Sequence, residues 1–166
     1  MASELPRYIL RNCAIWTDRE SKIGQASEIT IPVPERTTAD VRNAGMVKTR
    51  RVGLGYEALE LAFKMTAFDP QVIKLFTVGE RDYMVTGALV DEDGTIHSAV
   101  VFMRGVLKKP EAGSWKAGEL AEADYAVDVN YLKLEVDGER LLEMDDFEVI
   151  VGNTSQTGGI RAALLA

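Results

Sequence analysis

The sequence predicts a mainly β fold, an antiparallel sandwich or partial barrel with one short α-helix. Three observations predict it. Apolar residues alternate with polar ones over several runs, the period of a strand with one buried face. Asp91-Glu92-Asp93-Gly94 and Asp137-Gly138 supply tight turns between such runs. The clearest helix start is Asp69-Pro70, a capping residue followed by the proline that suits a first helical position.

The elements follow in order. Ile29, Ile31 and Val33 alternate with Glu28, Thr30 and Pro32, which reads as a strand burying the three aliphatic residues. Residues 57 to 66 satisfy two readings. Ala, Leu, Glu, Lys and Met favour a helix, whereas Leu59, Leu61, Phe63 and Met65 alternate strictly with Glu60, Ala62, Lys64 and Thr66; the strict alternation favours a strand. The helix after Asp69 is expected to run through Val72, Ile73, Leu75 and Phe76 to a stop near Gly79, plugging one end of a sheet. Residues 83 to 90 and 95 to 107 form a hairpin across the first turn. Ala123, Tyr125, Val127, Val129 and Tyr131 form the buried face of a long strand. The phase changes after Leu132, which a bulge or a new neighbouring strand explains. Asp137-Gly138 turns this strand into residues 140 to 144, and the glycine-rich run 152 to 159 is expected to be flexible.

With 166 residues, 46% hydrophobic, the chain supports a single domain, 1–166, with a real core. Its net charge of -7 excludes sequence-independent attraction to a polyanion as the organising principle. Neither a signal-peptide core nor an eighteen-residue apolar run is present, so the expectation is a chain that folds in the cytoplasm without contacting a membrane. Charge is unevenly placed: Arg36 to Arg51 holds five basic residues and one acid, while Glu119 to Glu148 holds eleven acids and two basic residues. Such patches are either two solvated faces or the complementary ends of a self-associating subunit.

The residues offer little catalytic chemistry. Gly53-Leu54-Gly55-Tyr56-Glu57-Ala58 matches a dinucleotide-binding pattern, with Glu80 at a suggestive distance, but Lys48 to Arg51 precede it where a buried parallel strand is required. His97 follows a hairpin turn with no nucleophile nearby and reads as an exposed or half-buried strand histidine. Cys13 reads as a small core hydrophobe. Asp145-Asp146 point to opposite faces if extended, and Asp91, Asp93 and Gly94 lack the rest of a calcium loop. No catalytic residue, cofactor site or metal site is expected.

Several strings occur in order: Ile31-Pro32, Asn43-Ala44-Gly45-Met46, Met103-Arg104-Gly105, residues 115 to 119 (WKAGE), residues 131 to 139 (YLKLEVDGE) and Glu143-Met144-Asp145. Together, over about Arg7 to Val151, they resemble the major tail tube protein family of contractile-tailed bacteriophages and R-type pyocins. The resemblance implies a β subunit that assembles into stacked hexameric rings, each subunit contributing strands to a shared inner β-barrel and thereby removing exposed sheet edges. It implies a structural protein rather than an enzyme, with these partners: further copies of itself, the tail sheath protein, the baseplate and terminator proteins, and the tape measure protein and passing DNA in the lumen. The expected location is the virion tail tube, assembled in the host bacterial cytoplasm. A tube of a DNA-free pyocin-like or secretion-type particle and a small-ligand β-barrel are the alternatives.

The extended basic loop around 36–52 corresponds to the family loop that reaches a neighbouring subunit, which assigns Arg36, Arg42, Asn43, Gly45, Met46, Lys48, Arg50 and Arg51 to an inter-subunit contact, with Met46 as an apolar anchor. The polar faces of the two alternating strands assign Glu60, Lys64, Glu122, Asp124, Asp128 and Asn130 to the lumen. At the C-terminus, residues 152–166 depart from the family pattern, and residues 17 to 22 (TDRESK) are more charged than the family's N-terminal hairpin.

Overall fold

Two long strands organise the fold in the computed structural model, which describes residues 5–165. They are β8 (Ile96–Glu111) and β9 (Ala123–Val136), antiparallel over almost their whole length. Before them come β1 (Ile9–Thr17), β2 (Glu20–Ser21), β3 (Ala26–Thr30), β4 (Arg36–Val41), β5 (Arg50–Tyr56), β6 (Leu59–Met65), α1 (Pro70–Ile73) and β7 (Arg81–Val90). After them come β10 (Glu139–Met144), β11 (Val149–Val151), β12 (Thr154–Ser155) and α2 (Gly158–Ala163).

The main sheet runs β12-β11-β10-β9-β8-β7-β1-β2, with β6 also paired to β9 and β3 to β6. β9 therefore has two partners on one side. Its first part, Ala123 to Val129, pairs with β6, and its second part, from Leu132 on, pairs with β10. The series β3-β6-β9-β8-β7-β1 curls around one apolar interior, and the Lys22 N–H bonds the Ile15 carbonyl at 2.9 Å, drawing the β2–β3 turn back to β1. The result is a partial barrel.

Strand periodicity places the core. Leu59, Leu61, Phe63 and Met65 of β6 are buried, as are Ala123, Tyr125, Val127 and Val129 of β9, and Phe63 stacks on Tyr125 with ring centroids 5.1 Å apart. Each such large apolar side chain contributes about 1.5 to 3 kcal/mol on burial, so the strand reading of residues 57 to 66 prevails over helix propensity. Val72 of α1 reaches the same core and is fully buried.

The phase change in β9 has both causes the sequence allows, a bulge and a new neighbour, but occurs at Asn130. Arg104 faces Tyr131 and Gly105 faces Val129, leaving Asn130 without an opposite residue. The bulge needs Gly105: a Cβ there would lie 2.1 Å from the Asp128 carbonyl oxygen. At the other end, Asp137 (φ 52) and Gly138 (φ 79) form the two-residue turn into β10, the left-handed pair that this hairpin class requires.

Four expectations change. The strand from Ala26 ends at Thr30, so Pro32 is buried while Ile31 and Val33 are exposed; the proline cannot donate to a ladder and breaks the alternation. α1 stops at Ile73, one turn long, because residues 74 to 77 tighten into turns. Cys13 is exposed although it shares a strand face with the buried Ile15 and Thr17, because burial along β1 begins only at Ile15. The basic loop is an antiparallel hairpin with a bulge at Leu54, with Arg36 opposite Tyr56 and Val41 opposite Arg50. The C-terminal segment, whose glycine-rich run 152 to 159 is expected to be flexible, carries a hairpin turn, β12 and α2 up to Ala163; Ala166 lies outside the described residues.

Candidate functional site

The described residues present a basic hairpin, a charged sheet face and a histidine cluster. No helix among them is long and apolar enough to cross a membrane, and no group of three or more His, Cys, Asp or Glu side chains among them could hold a metal ion.

The first surface is the β4–β5 hairpin, which forms its own two-stranded sheet and bonds to no strand of the main one. Its tip is a turn in which the Met46 N–H donates to the Asn43 carbonyl at 3.1 Å, with Gly45 at φ 88. Met46 is half-buried in that tip, its Sδ 3.2 Å from the Asn43 N–H, so its side chain serves its own turn. The exposed apolar residues are instead Val47 (94% exposed), Leu54 and Val52. Arg51 pairs with Asp40 at 3.6 Å across the strands, whereas Arg36, Arg42, Lys48 and Arg50 form no ion pair among the described residues. An isolated hairpin is marginally stable in water, and this one also carries unburied aliphatic side chains and unpaired cations.

The second surface is the charged outer face of β3, β6, β9 and the end of β8. Register builds it in rows. Glu28, Lys64, Asp124 and Glu111 lie opposite one another across the four strands; Thr30, Ala62, Ala126 and Lys109 form the next row; Glu60, Asp128 and Val106 the next. Lys108 sits at a second bulge and reaches over the last row, 3.4 Å from Glu60 and 4.0 Å from Asp128. Lys64 lies 3.8 Å from Glu28, and Lys109 is 3.0 Å from Glu111. Asp124 is only partly exposed, and its Oδ1 has no hydrogen-bond partner.

Of the residues assigned to the lumen by sequence, Glu60, Lys64, Asp124 and Asp128 share this face. Glu122 precedes β9 and stands outside the rows, and Asn130 is the bulged residue, donating to Glu80 at 2.7 Å. Sequence reading missed Glu28, Lys108, Lys109 and Glu111. Glu28 carried the signal in its alternation with Ile29, but the bulge that turns Lys108 and Lys109 toward this face has no local signature.

A third feature ties both long hairpins together. His97 Nδ1 lies 2.6 Å from Asp137 and its Nε2 3.0 Å from Asp91, the residues that open the two hairpin turns. Asp91 also accepts from the Tyr8 N–H at 2.8 Å and from Arg7, and the Tyr8 ring lies 4.5 Å from the imidazole. The hydrogen bonds to Asp91 and Asp137 raise the His97 pKa above its ordinary value. Asp91 is held below the ordinary carboxylate value, first by the Tyr8 N–H and then by His97, and Asp137 first by the Ser98 N–H. This half-buried histidine is a structural clamp, with no nucleophile among its partners.

Comparison with known proteins identifies the family and the fold. The profile of the family described as phage tail tube protein FII matches residues 6–164. The tail tube protein of Escherichia phage P2 is 31% identical over 134 residues, covering 76% of this chain and 78% of that protein. The major tail tube protein of Serratia phage KSP20 is 29% identical over 139 residues, covering 82% and 81%. Among solved structures, a chain of the sheath-tube complex of an extracellular contractile injection system, in its extended state, shares the fold at a TM-score of 0.56 and 11% identity, over 81% of this chain and 93% of that one. A chain of the sheath/tube terminator of the same system does so at 0.53 and 12%, over 80% and 97%. The profile match over residues 6–164, with the relatives that accompany it, makes this chain a member of the phage tail tube protein FII family, whose members are structural subunits of the tail tube rather than enzymes.

Proposed function

We propose that this tail tube subunit builds hexameric rings that stack into the conduit of a contractile phage tail, with the β4–β5 hairpin as the contact between subunits and the charged face of β3, β6, β9 and β8 toward the lumen. One observation carries the reading: the hairpin stands apart from the main sheet with Arg36, Arg42, Lys48 and Arg50 unpaired and Val47 and Leu54 exposed. A monomer gains nothing from such an element, whereas a neighbouring acidic subunit covers it.

In this reading DNA and the tape measure protein occupy the lumen. The sheath protein surrounds the tube, and baseplate and terminator proteins close its ends; assembly takes place in the host cytoplasm. The sequence relatives are phage tail proteins, which favours a DNA-conducting tail over a DNA-free particle. Electron micrographs of the purified chain at high concentration test the assignment: rings or tubes are expected, and a persistent monomer with an internal ligand cavity would replace it with the ligand-binding alternative. Charge reversal at Lys48 and Arg50 tests the hairpin. The variant should keep its thermal melting but form no tubes, and normal tubes in ordinary salt would remove the hairpin from the interface.

A further inference from the structure

At the foot of the same hairpin, Tyr56 and Glu57 border a cleft of about 490 Å³ that opens between the end of β5 and the β10–β11 turn. Its floor is apolar, with Leu59, Val149 and Met144 below the surface. Phe147 stands on its rim, 78% exposed.

The rim is acidic. Glu57, Asp145, Asp146 and Glu148 surround the opening, and Arg161 at 3.2 Å neutralises Glu148 alone. Three carboxylates are left without an ion-pair partner among the described residues. Asp145 accepts from the Phe147 and Glu148 N–H groups at 2.8 and 2.7 Å, so it shapes the turn that presents Phe147. The hairpin tip carries the opposite set: Arg42, Lys48 and Arg50 are unpaired and flank the exposed Val47.

Apolar centre faces apolar floor, and three cations match three anions. Within one chain they cannot meet: tip and foot are separated by the length of a six- to seven-residue hairpin, about 20 Å at 3.3 Å per residue. The tip belongs in the cleft of another copy. We infer that the acidic cleft between Glu57 and Phe147 is the acceptor site for the β4–β5 hairpin tip of a second copy of this chain, an inference that rests on the hairpin being the subunit contact. Because donor and acceptor are different surfaces, the contact is heterologous, the kind that propagates head to tail and closes into a ring or stacks without limit.

Charge exchange tests the pair. A donor variant, Arg42→Glu with Lys48→Glu and Arg50→Glu, and an acceptor variant, Glu57→Lys with Asp146→Lys, should each remain folded and fail to form tubes alone. Mixing the two should restore tubes, because each tip then meets a cleft of opposite sign. Asp145 is left intact for the turn it holds. Covalent trapping gives the direct readout. In a Cys13→Ser background, Val47→Cys and Phe147→Cys in one chain should give, on oxidation of assembled tubes, a ladder of disulfide-linked oligomers that neither single cysteine gives. Tubes from the acceptor variant alone, or assembled tubes that give no ladder, would overturn the cleft while leaving the hairpin as the contact. Tubes from the donor variant alone would overturn the hairpin reading itself.

Discussion

Lys22 Nζ stands 2.9 Å from the Asp69 carboxylate, with the lysine 4% and the aspartate 11% exposed. The same carboxylate caps α1 by accepting from the Gln71 N–H at 2.9 Å, and Gln71 Oε1 accepts from Lys22 at 2.7 Å. One buried pair thus joins the β2–β3 turn to the single turn of helix that delivers Val72 to the core. Removing one partner of such a pair leaves a charge with nothing to balance it, so Lys22→Met should cost roughly 3 to 5 kcal/mol in urea unfolding. Lys22→Met with Asp69→Asn should recover most of that loss, because asparagine keeps the cap and removes the orphaned charge. Equal losses in the single and double variants would show that the lysine acts through packing alone.

Gly105 is expected to be irreplaceable for a geometric reason. A Cβ at this position meets backbone, the Asp128 carbonyl oxygen at 2.1 Å, and backbone in the middle of a long antiparallel pair cannot swing aside as a side-chain tip can. Gly105→Ala must open the β8–β9 ladder at its bulge, which should lower the melting temperature by many degrees or prevent folding. Gly53→Ala, with nothing within 4 Å of its added Cβ, is the matched control and should melt near the parent.

These two positions also show how far the sequence was legible. Elements whose burial is decided by local alternation were readable: β6 and the first half of β9 each present one apolar face to one core, so periodicity alone identified Leu61, Phe63, Tyr125 and Val127 as buried. The hairpin turns were readable because Asp137 and Gly138 carry a backbone requirement in their own chemistry. What depended on distant chain was not. Lys108 turns toward Glu60 only because β8 bulges against β9, and Lys22 is buried only because Asp69 arrives beside it. The basic segment stands out by its charge, but its hairpin form rests on pairing between Arg36 to Val41 and Arg50 to Tyr56, which periodicity in two glycine- and threonine-containing strands does not announce.

The His97 clamp makes stability depend on pH in a defined direction. His97 has its pKa raised above the ordinary 6.5, by Asp91 first and Asp137 next, so its contribution is fully present below that value and is lost as pH rises through the raised one. Asp91 and Asp137 are lowered from 3.8, so their contributions are present above that value and are lost as pH falls through the lowered ones. All three favour the fold between about pH 4 and 6.5. The melting temperature should therefore fall more steeply from pH 6 to 9 in the parent than in His97→Asn, since the other titrating groups are common to both. Parallel curves would show that the clamp carries no linked proton.

The charged face carries the last prediction. The expectation from sequence was four acids and one lysine; the face in fact holds Glu28, Glu60, Glu111, Asp124 and Asp128 against Lys64, Lys108 and Lys109. Its excess of negative charge is thus smaller, and each lysine is occupied by a carboxylate within 4 Å. For a conduit this arrangement matters more than the total. A free ammonium facing a duplex releases counterions and adds affinity, and the gain multiplies around a ring and along a stack, whereas an ammonium already shared with carboxylates offers the phosphates little. Neutralising the partners of one lysine should therefore expose it without adding any cation. Glu60→Gln with Asp128→Asn removes both carboxylates near Lys108, and tubes of that variant should assemble normally yet retain double-stranded DNA, with an affinity that falls linearly in log salt. Adding Lys108→Gln should abolish the retention. Equal DNA binding by parent and variant tubes would place this face away from the passing duplex.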